Sequence, residues 1–121
     1  MKIELEKDEA VQIMPLDALG YGCAMDDILD HITLDEVLAQ LAEEAAELAQ
    51  AALKLRRTLS AENPTPVTRH EAEEKLLEEI ADVKLCLHVS GFESVQRKIK
   101  VNRIISQKAE RWLKRLMERA R

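Results

Sequence analysis

The stretch that decides the fold runs from Thr33 to Leu59, TLDEVLAQLAEEAAELAQAALKLRRTL. Thr33 and Glu36 make a T-x-x-E capping box, in which each side chain satisfies a free backbone donor at a helix start. Placed at about 100° per residue, Leu34, Val37, Leu38, Leu41, Ala45, Leu48, Ala52 and Leu55 define an apolar centre. The spacing therefore predicts an amphipathic helix to about Leu59. One residue breaks the pattern. Glu44 projects only about 20° from Val37 and Leu55, with Ala51 on its other side, where a leucine belongs. Glu47 follows one turn on, next to Gln40, while Glu43 points roughly opposite the apolar centre.

Downstream, SAENPTPVT (60–68) carries two prolines and several cap-forming residues and reads as a loop. Thr68 with Glu71 forms a second T-x-x-E start. The helix that follows ends near Ser90, with Gly91 placed as its C-terminal stop. Leu76, Ile80, Val83 and Leu87 form its apolar centre. Glu79 projects between Ala72 and Cys86, and Asp82 lies one turn on, beside Val89. A third helix begins near Ser94 and continues without Gly or Pro to about Ala120, roughly 40 Å at 1.5 Å per residue. Val95, Ile99, Ile105, Ala109, Trp112, Leu113, Leu116 and Met117 make its apolar face, so Trp112 reads as core rather than as a stacking platform. Lys98 and Asn102 fall inside that face. Upstream, MKIELE alternates like a short strand, Pro15 interrupts any helix, GYG marks a turn, and residues 25–31 suit a helical turn or two. The expectation is an all-α chain, a bundle of three main helices in residues 33–121 behind an N-terminal segment, 1–32.

Composition agrees. The chain has 121 residues, 46% of them hydrophobic, with three glycines, three prolines and only Tyr21, Phe92 and Trp112 as aromatics. That balance favours helices and leaves little for a β-sandwich or barrel. Cys23 and Cys86 lack zinc spacing and are too few for a disulfide framework. No signal sequence opens the chain and no apolar run approaches bilayer length, so a cytoplasmic protein without membrane contact is expected. The net charge of −5 is unevenly spread. Residues 97–121 carry ten Lys/Arg against two Glu, and the other 96 residues carry eight against 21 Asp/Glu. An overall negative charge and few stacking aromatics argue against long nucleic acid. The asymmetry fits either a solvated helix whose basic residues suit its dipole or a basic wall beside an acidic site.

Each of the first two helices thus carries two carboxylates at i and i+3 inside an apolar arc. E-x-x-E in a Glu-rich chain is commonly a solvated face. Two such pairs on consecutive helices, both inside apolar arcs, tell against that reading. An isolated charge there costs several kcal/mol unless it is paired or neutralised. Oxygen ligands with no Cys and no neighbouring His suit Mg²⁺ or Mn²⁺ better than zinc or copper. No E-x-x-H occurs, which argues against a ferritin-like di-iron site. His31, His70 and His88 have no partner at ligand spacing.

E-E-A-A-E (Glu43, Glu44, Glu47) followed by E-E-I-A-D (Glu78, Glu79, Asp82) resembles the MazG-like branch of the all-α nucleoside triphosphate pyrophosphohydrolases, over roughly residues 34–115. The resemblance implies that Glu44, Glu47, Glu79 and Asp82 bind Mg²⁺, that a nucleoside triphosphate is held by its phosphates, and that water attacks the α-phosphorus to give a monophosphate and pyrophosphate. Glu43 belongs to the family signature and is a candidate for water activation or for supporting the ligands. K-I-K-V-N resembles the family's K-x-x-x-N pattern, which makes Lys98 and Asn102 candidates for phosphate binding. Lys54 is a further candidate. For Lys98 and Asn102 the plain alternative is a lysine that reaches the rim and an amide paired with backbone.

Ala42, Ala46, Ala49 and Leu53 give the first helix a second apolar side that three helices cannot all cover. A homodimer or higher homo-oligomer, completing a four-helix arrangement, is expected. Two other functions remain open: a non-catalytic helical module whose acidic face binds a partner, and a phosphoribosyl-ATP pyrophosphohydrolase-like enzyme.

Overall fold

The computed structural model describes residues 27–60 and 66–120. It contains three helices, α1 (Leu34–Thr58), α2 (Arg69–Val89) and α3 (Val95–Arg119), and no strand among the described residues. The strand suggested by MKIELE, Pro15, the GYG turn, Cys23 and part of the proline loop lie outside the described residues. Asp27 and Ile28 open a short turn, closed by the bond from the His31 N–H to the Ile28 carbonyl, which leads into α1.

The helix starts follow the sequence signals. Thr33 Oγ1 accepts from the Glu36 N–H, and Glu36 Oε2 accepts from the Thr33 N–H at 3.1 Å, so both halves of the box are formed. Thr68 Oγ1 accepts from the Glu71 N–H, the first half of the same device. Among the described residues no return bond from Glu71 accompanies it. Ser94 caps α3 through the Arg97 N–H. Gly91 follows the α2 C-cap with φ 81°, in the left-handed region that a side chain would strain.

The chain divides into two compact units, one ending at Ser90 and one beginning at Gly91. In the first, α1 and α2 pack against each other along their length. Val37, near the start of α1, clusters with Val89 at the end of α2, so the helices run antiparallel. The buried positions of α1 are Val37 and Ala51, with Leu41, Glu44, Leu48 and Leu55 half-buried between and beyond them. Those of α2 are Ala72, Glu79, Cys86 and Val89, with Leu76 and Val83 half-buried. Steps of four and three alternate along α1 and along α2 as far as Cys86, which is the heptad seam of two helices wound together.

This seam corrects the apolar centres expected from the wheel. Leu34 and Leu38 are exposed on α1, as are Ala45 and Ala52, and Ile80 is exposed on α2. The true centre line of α1 passes through Val37, Glu44 and Ala51, and that of α2 through Ala72, Glu79 and Cys86. The wheel centre was drawn aside because alanines and leucines cover well over half of the α1 circumference, so their mean direction is not the direction of contact. The second apolar side is exposed, including Ala42, Ala46, Ala49 and Leu53.

In the second unit, α3 has 25 residues and none is buried. Its apolar stripe exists as expected but is open to solvent: Ile99 and Ile105 are each 56% exposed and Trp112 is 63% exposed. Trp112 is therefore not a core residue. Amphipathic periodicity specifies which side of a helix seeks cover, not what covers it. Arg97 bridges the start of this unit, with its guanidinium 4.3 Å from the Phe92 ring centroid and one nitrogen donating to the Gly91 carbonyl. No described helix is long and apolar enough to cross a membrane.

Candidate metal centre

Heptad positions seven apart present the same face of a wound helix, so Val37, Glu44 and Ala51 line one side of the seam and Ala72, Glu79 and Cys86 the other. Antiparallel packing then sets Glu44 and Glu47 against Asp82 and Glu79. One carboxylate oxygen from each of these four residues lies within 4.8 Å of the others. Glu79 is 1% exposed and is among the largest fully buried side chains. Glu44 and Asp82 are half-buried, and Glu47 is exposed at the edge.

The polar contacts of the four are incomplete. Gln40 Nε2 donates to Glu44 Oε1 at 2.8 Å, and Lys75 Nζ pairs with Glu79 Oε1 at 2.9 Å. The other oxygens, Glu44 Oε2 and Glu79 Oε2, are buried and have no hydrogen-bond partner. A buried carboxylate oxygen without a partner costs far more than an exposed one, so such atoms call for a cation or a proton. The electrostatics say the same. Repulsion from Glu44, then from Glu79, pushes the Glu47 carboxyl above its usual range, with burial adding to the effect. The bond from Lys75 draws Glu79 below the usual carboxylate range against the opposing effect of burial. The same bond raises Lys75. Burial, followed by the charges of Glu44 and Asp82, pushes the Cys86 thiol up.

The residues present fit a hard divalent cation. They offer only oxygen donors, two of which are orphaned, on two helices that hold each other in register. A protonated Glu47 bonded to Glu79 and Glu44 would relieve part of the same repulsion, so proton and cation compete for one space.

Comparison with protein-family models, with curated proteins and with solved structures finds no match.

Of the other sequence candidates, Lys54 lines a cleft of about 410 Å³ together with Glu47 and Glu79. Glu43 is exposed and stands outside the group of four. Lys98 and Asn102 belong to the unit that begins at Gly91 and are exposed there. Three contributors escaped the sequence reading. Lys75 holds Glu79, Gln40 holds Glu44 rather than merely neighbouring Glu47, and Arg57 shares the cleft with Lys54 and Lys75. The i,i+4 spacings of Gln40 with Glu44 and of Lys75 with Glu79 were the available signals.

Proposed function

We propose that the chain is a Mg²⁺-dependent nucleoside triphosphate pyrophosphohydrolase, acting on the bond between the α- and β-phosphates. The observation that carries the reading is the meeting of Glu44, Glu47, Glu79 and Asp82, with two buried oxygens that lack partners. The choice of bond and of a nucleotide substrate comes from the MazG-like pattern of E-E-x-x-E and E-x-x-D on consecutive helices. Mn²⁺ would suit the same oxygens.

When bound, the cations would supply charge neutralisation on the triphosphate and an activated water. The chain's own residues provide the rest. Glu44 and Glu79 are fixed by the seam, and Gln40 orients Glu44 by its amide bond. Glu47 stands at the solvent edge of the four, open to an incoming ligand. Lys54, Arg57 and Lys75 surround the adjoining cleft and suit phosphate oxygens. Lys98 and Asn102 keep their proposed phosphate-binding role through the K-x-x-x-N likeness, and Glu43 its supporting role through the family signature. A homodimer or higher oligomer is proposed because apolar sides of α1 and α3 are exposed.

One observation favours a second reading. An exposed apolar stripe along all of α3 is what a partner-binding helix presents, as in a non-catalytic module. A panel of ribo- and deoxyribonucleoside triphosphates with Mg²⁺, assayed separately for pyrophosphate and phosphate, separates the two. The expected result is monophosphate plus pyrophosphate from at least one nucleotide, stopped by EDTA. Single phosphate with a diphosphate product would refute the proposed bond. Inactivity across the panel, with the protein folded and metal bound, would favour the module; phosphoribosyl-ATP belongs in the same panel.

A further inference from the structure

We propose that Lys75 is an exchangeable internal cation: it holds Glu79 while the cluster is free of metal, and it turns to a phosphate group of the ligand once a divalent ion takes its place. The proposal rests on reading the four carboxylates as a divalent-ion site. Three observations carry it further than that reading.

Lys75 reaches inward from the rim. Its side chain is 54% exposed, whereas that of its partner Glu79 is 2% exposed, and Nζ approaches Oε1 at 2.9 Å. The ammonium thus supplies the compensating charge for one oxygen of the most buried carboxylate, while the other oxygen has none. Next, the pairing is of a kind that can be given up. A lysine placed N-terminal to a glutamate at i,i+4 is the less favourable orientation on a helix, and the flexible four-carbon stem carries a point charge that readily finds a new partner. A divalent ion bound by Glu79 would also set two further positive charges close to Nζ, and their repulsion drives the lysine away.

Finally, a destination exists. Lys75 borders the cleft that also contains Lys54 and Arg57 from α1, with Glu47 and Glu79 at its inner side. Among the described residues neither Lys54 nor Arg57 has an ion-pair partner. Three cations from two helices converge on one opening beside a cation-binding cluster, which is the arrangement an anionic phosphate group bridging to bound metal would need. The exchange couples the two halves of the site. Metal binding frees Lys75, and a free Lys75 completes the anion site.

The test measures binding rather than turnover, using Mn²⁺ alone and then inorganic pyrophosphate at saturating Mn²⁺, with calorimetry and the paramagnetic signal of free Mn²⁺ as readouts. Lys75→Met should bind Mn²⁺ more tightly, on the order of fivefold for loss of one competing charge a few ångströms away in a partly solvated site. The same variant should bind pyrophosphate more weakly, by roughly tenfold for loss of one charge-assisted contact. Lys75→Arg should restore pyrophosphate binding in part. Opposite signs in the two arms are a result that simple structural damage does not give, since damage weakens both. Lys75→Gln, checked by circular dichroism, serves if the methionine variant unfolds. Unchanged or weaker Mn²⁺ binding in a folded variant, or unchanged pyrophosphate binding, overturns the exchange while leaving the metal site in place. If the wild type binds no Mn²⁺, or Glu44→Gln binds it equally well, the metal reading itself fails and the exchange falls with it.

Discussion

Glu79 and Glu47 are neighbours with opposite perturbations, and each dictates a measurable response. Glu47 is raised from 4.5 by the charges of Glu44 and Glu79, so in the metal-free chain it binds a proton more readily folded than unfolded. Its contribution to stability is full below about 4.5 and is lost as pH rises through its folded value. Glu47→Gln should therefore raise the Tm of the metal-free protein at pH 7 and give no gain below pH 4.5, as thermal melts across pH will show. Glu79 is lowered by Lys75, so its contribution is present above 4.5 and lost as pH falls through the depressed value. In assays with Mg²⁺, Glu44→Gln, Glu47→Gln, Glu79→Gln and Asp82→Asn should each lose on the order of a hundredfold in kcat/KM or more, the scale on which loss of one preorganised group at a reacting charge is felt. Normal turnover in two of the four would remove the proposed site. Glu44 and Glu79 were legible in the sequence because each stands seven residues from buried neighbours, Val37 and Ala51 for one and Ala72 and Cys86 for the other. Lys75 was not, since i,i+4 pairs of Lys and Glu abound in this chain and only packing reveals which one leads inward.

At the scale of the helix, the two middle layers of the α1–α2 seam hold carboxylates where a stable hairpin would hold leucine. Replacing Glu44 and Glu79 together by leucine should raise the Tm of the metal-free hairpin and abolish Mn²⁺ binding, because a buried ionic cluster exchanged for well-packed apolar groups is commonly neutral or stabilising. A lower Tm in the double variant would show that the seam depends on its charges. The caps offer an independent check. Thr33→Ala removes the hydroxyl that accepts from the Glu36 N–H, leaving the Thr33 N–H bond to Glu36, and should cost about 1 kcal/mol in denaturant melts. These caps, Gly91 and the three helices could be read from the chain because each depends on a few adjacent residues. The rotation of the seam could not, because it is set by what α1 and α2 present to each other, and alanine-rich α1 has apolar residues on most of its sides.

At the scale of the molecule, the buried residues among those described are confined to the hairpin, and α3 displays Val95, Ile99, Ile105, Trp112, Leu113 and Met117 at more than half exposure. On the hairpin, Leu53 and Leu77 are also more than half exposed, and a soluble monomer rarely leaves so much apolar surface open. Light scattering at micromolar concentration should therefore return at least twice the 13.8 kDa chain mass. A monomeric mass would count decisively against the proposed assembly. Periodicity revealed these faces, but self-association depends on the shape of a second surface, which no single helix pattern encodes.

The heptad seam has one more consequence, for the lifetime of the protein. Its carboxylate layers lie between the Val37–Val89 cluster and the buried Ala51 and Ala72, so local opening of the hairpin and dispersal of the four carboxylates become one event. A chelator should then act as a mild denaturant, and an ion that binds only the closed hairpin should slow its cleavage by proteases in proportion to occupancy. Limited proteolysis across a Mg²⁺ titration should show this protection for the bonds of α1 and α2. Were the four carboxylates to hold such an ion, the abundance of a common cation would regulate how long the chain survives, whether or not it catalyses a reaction.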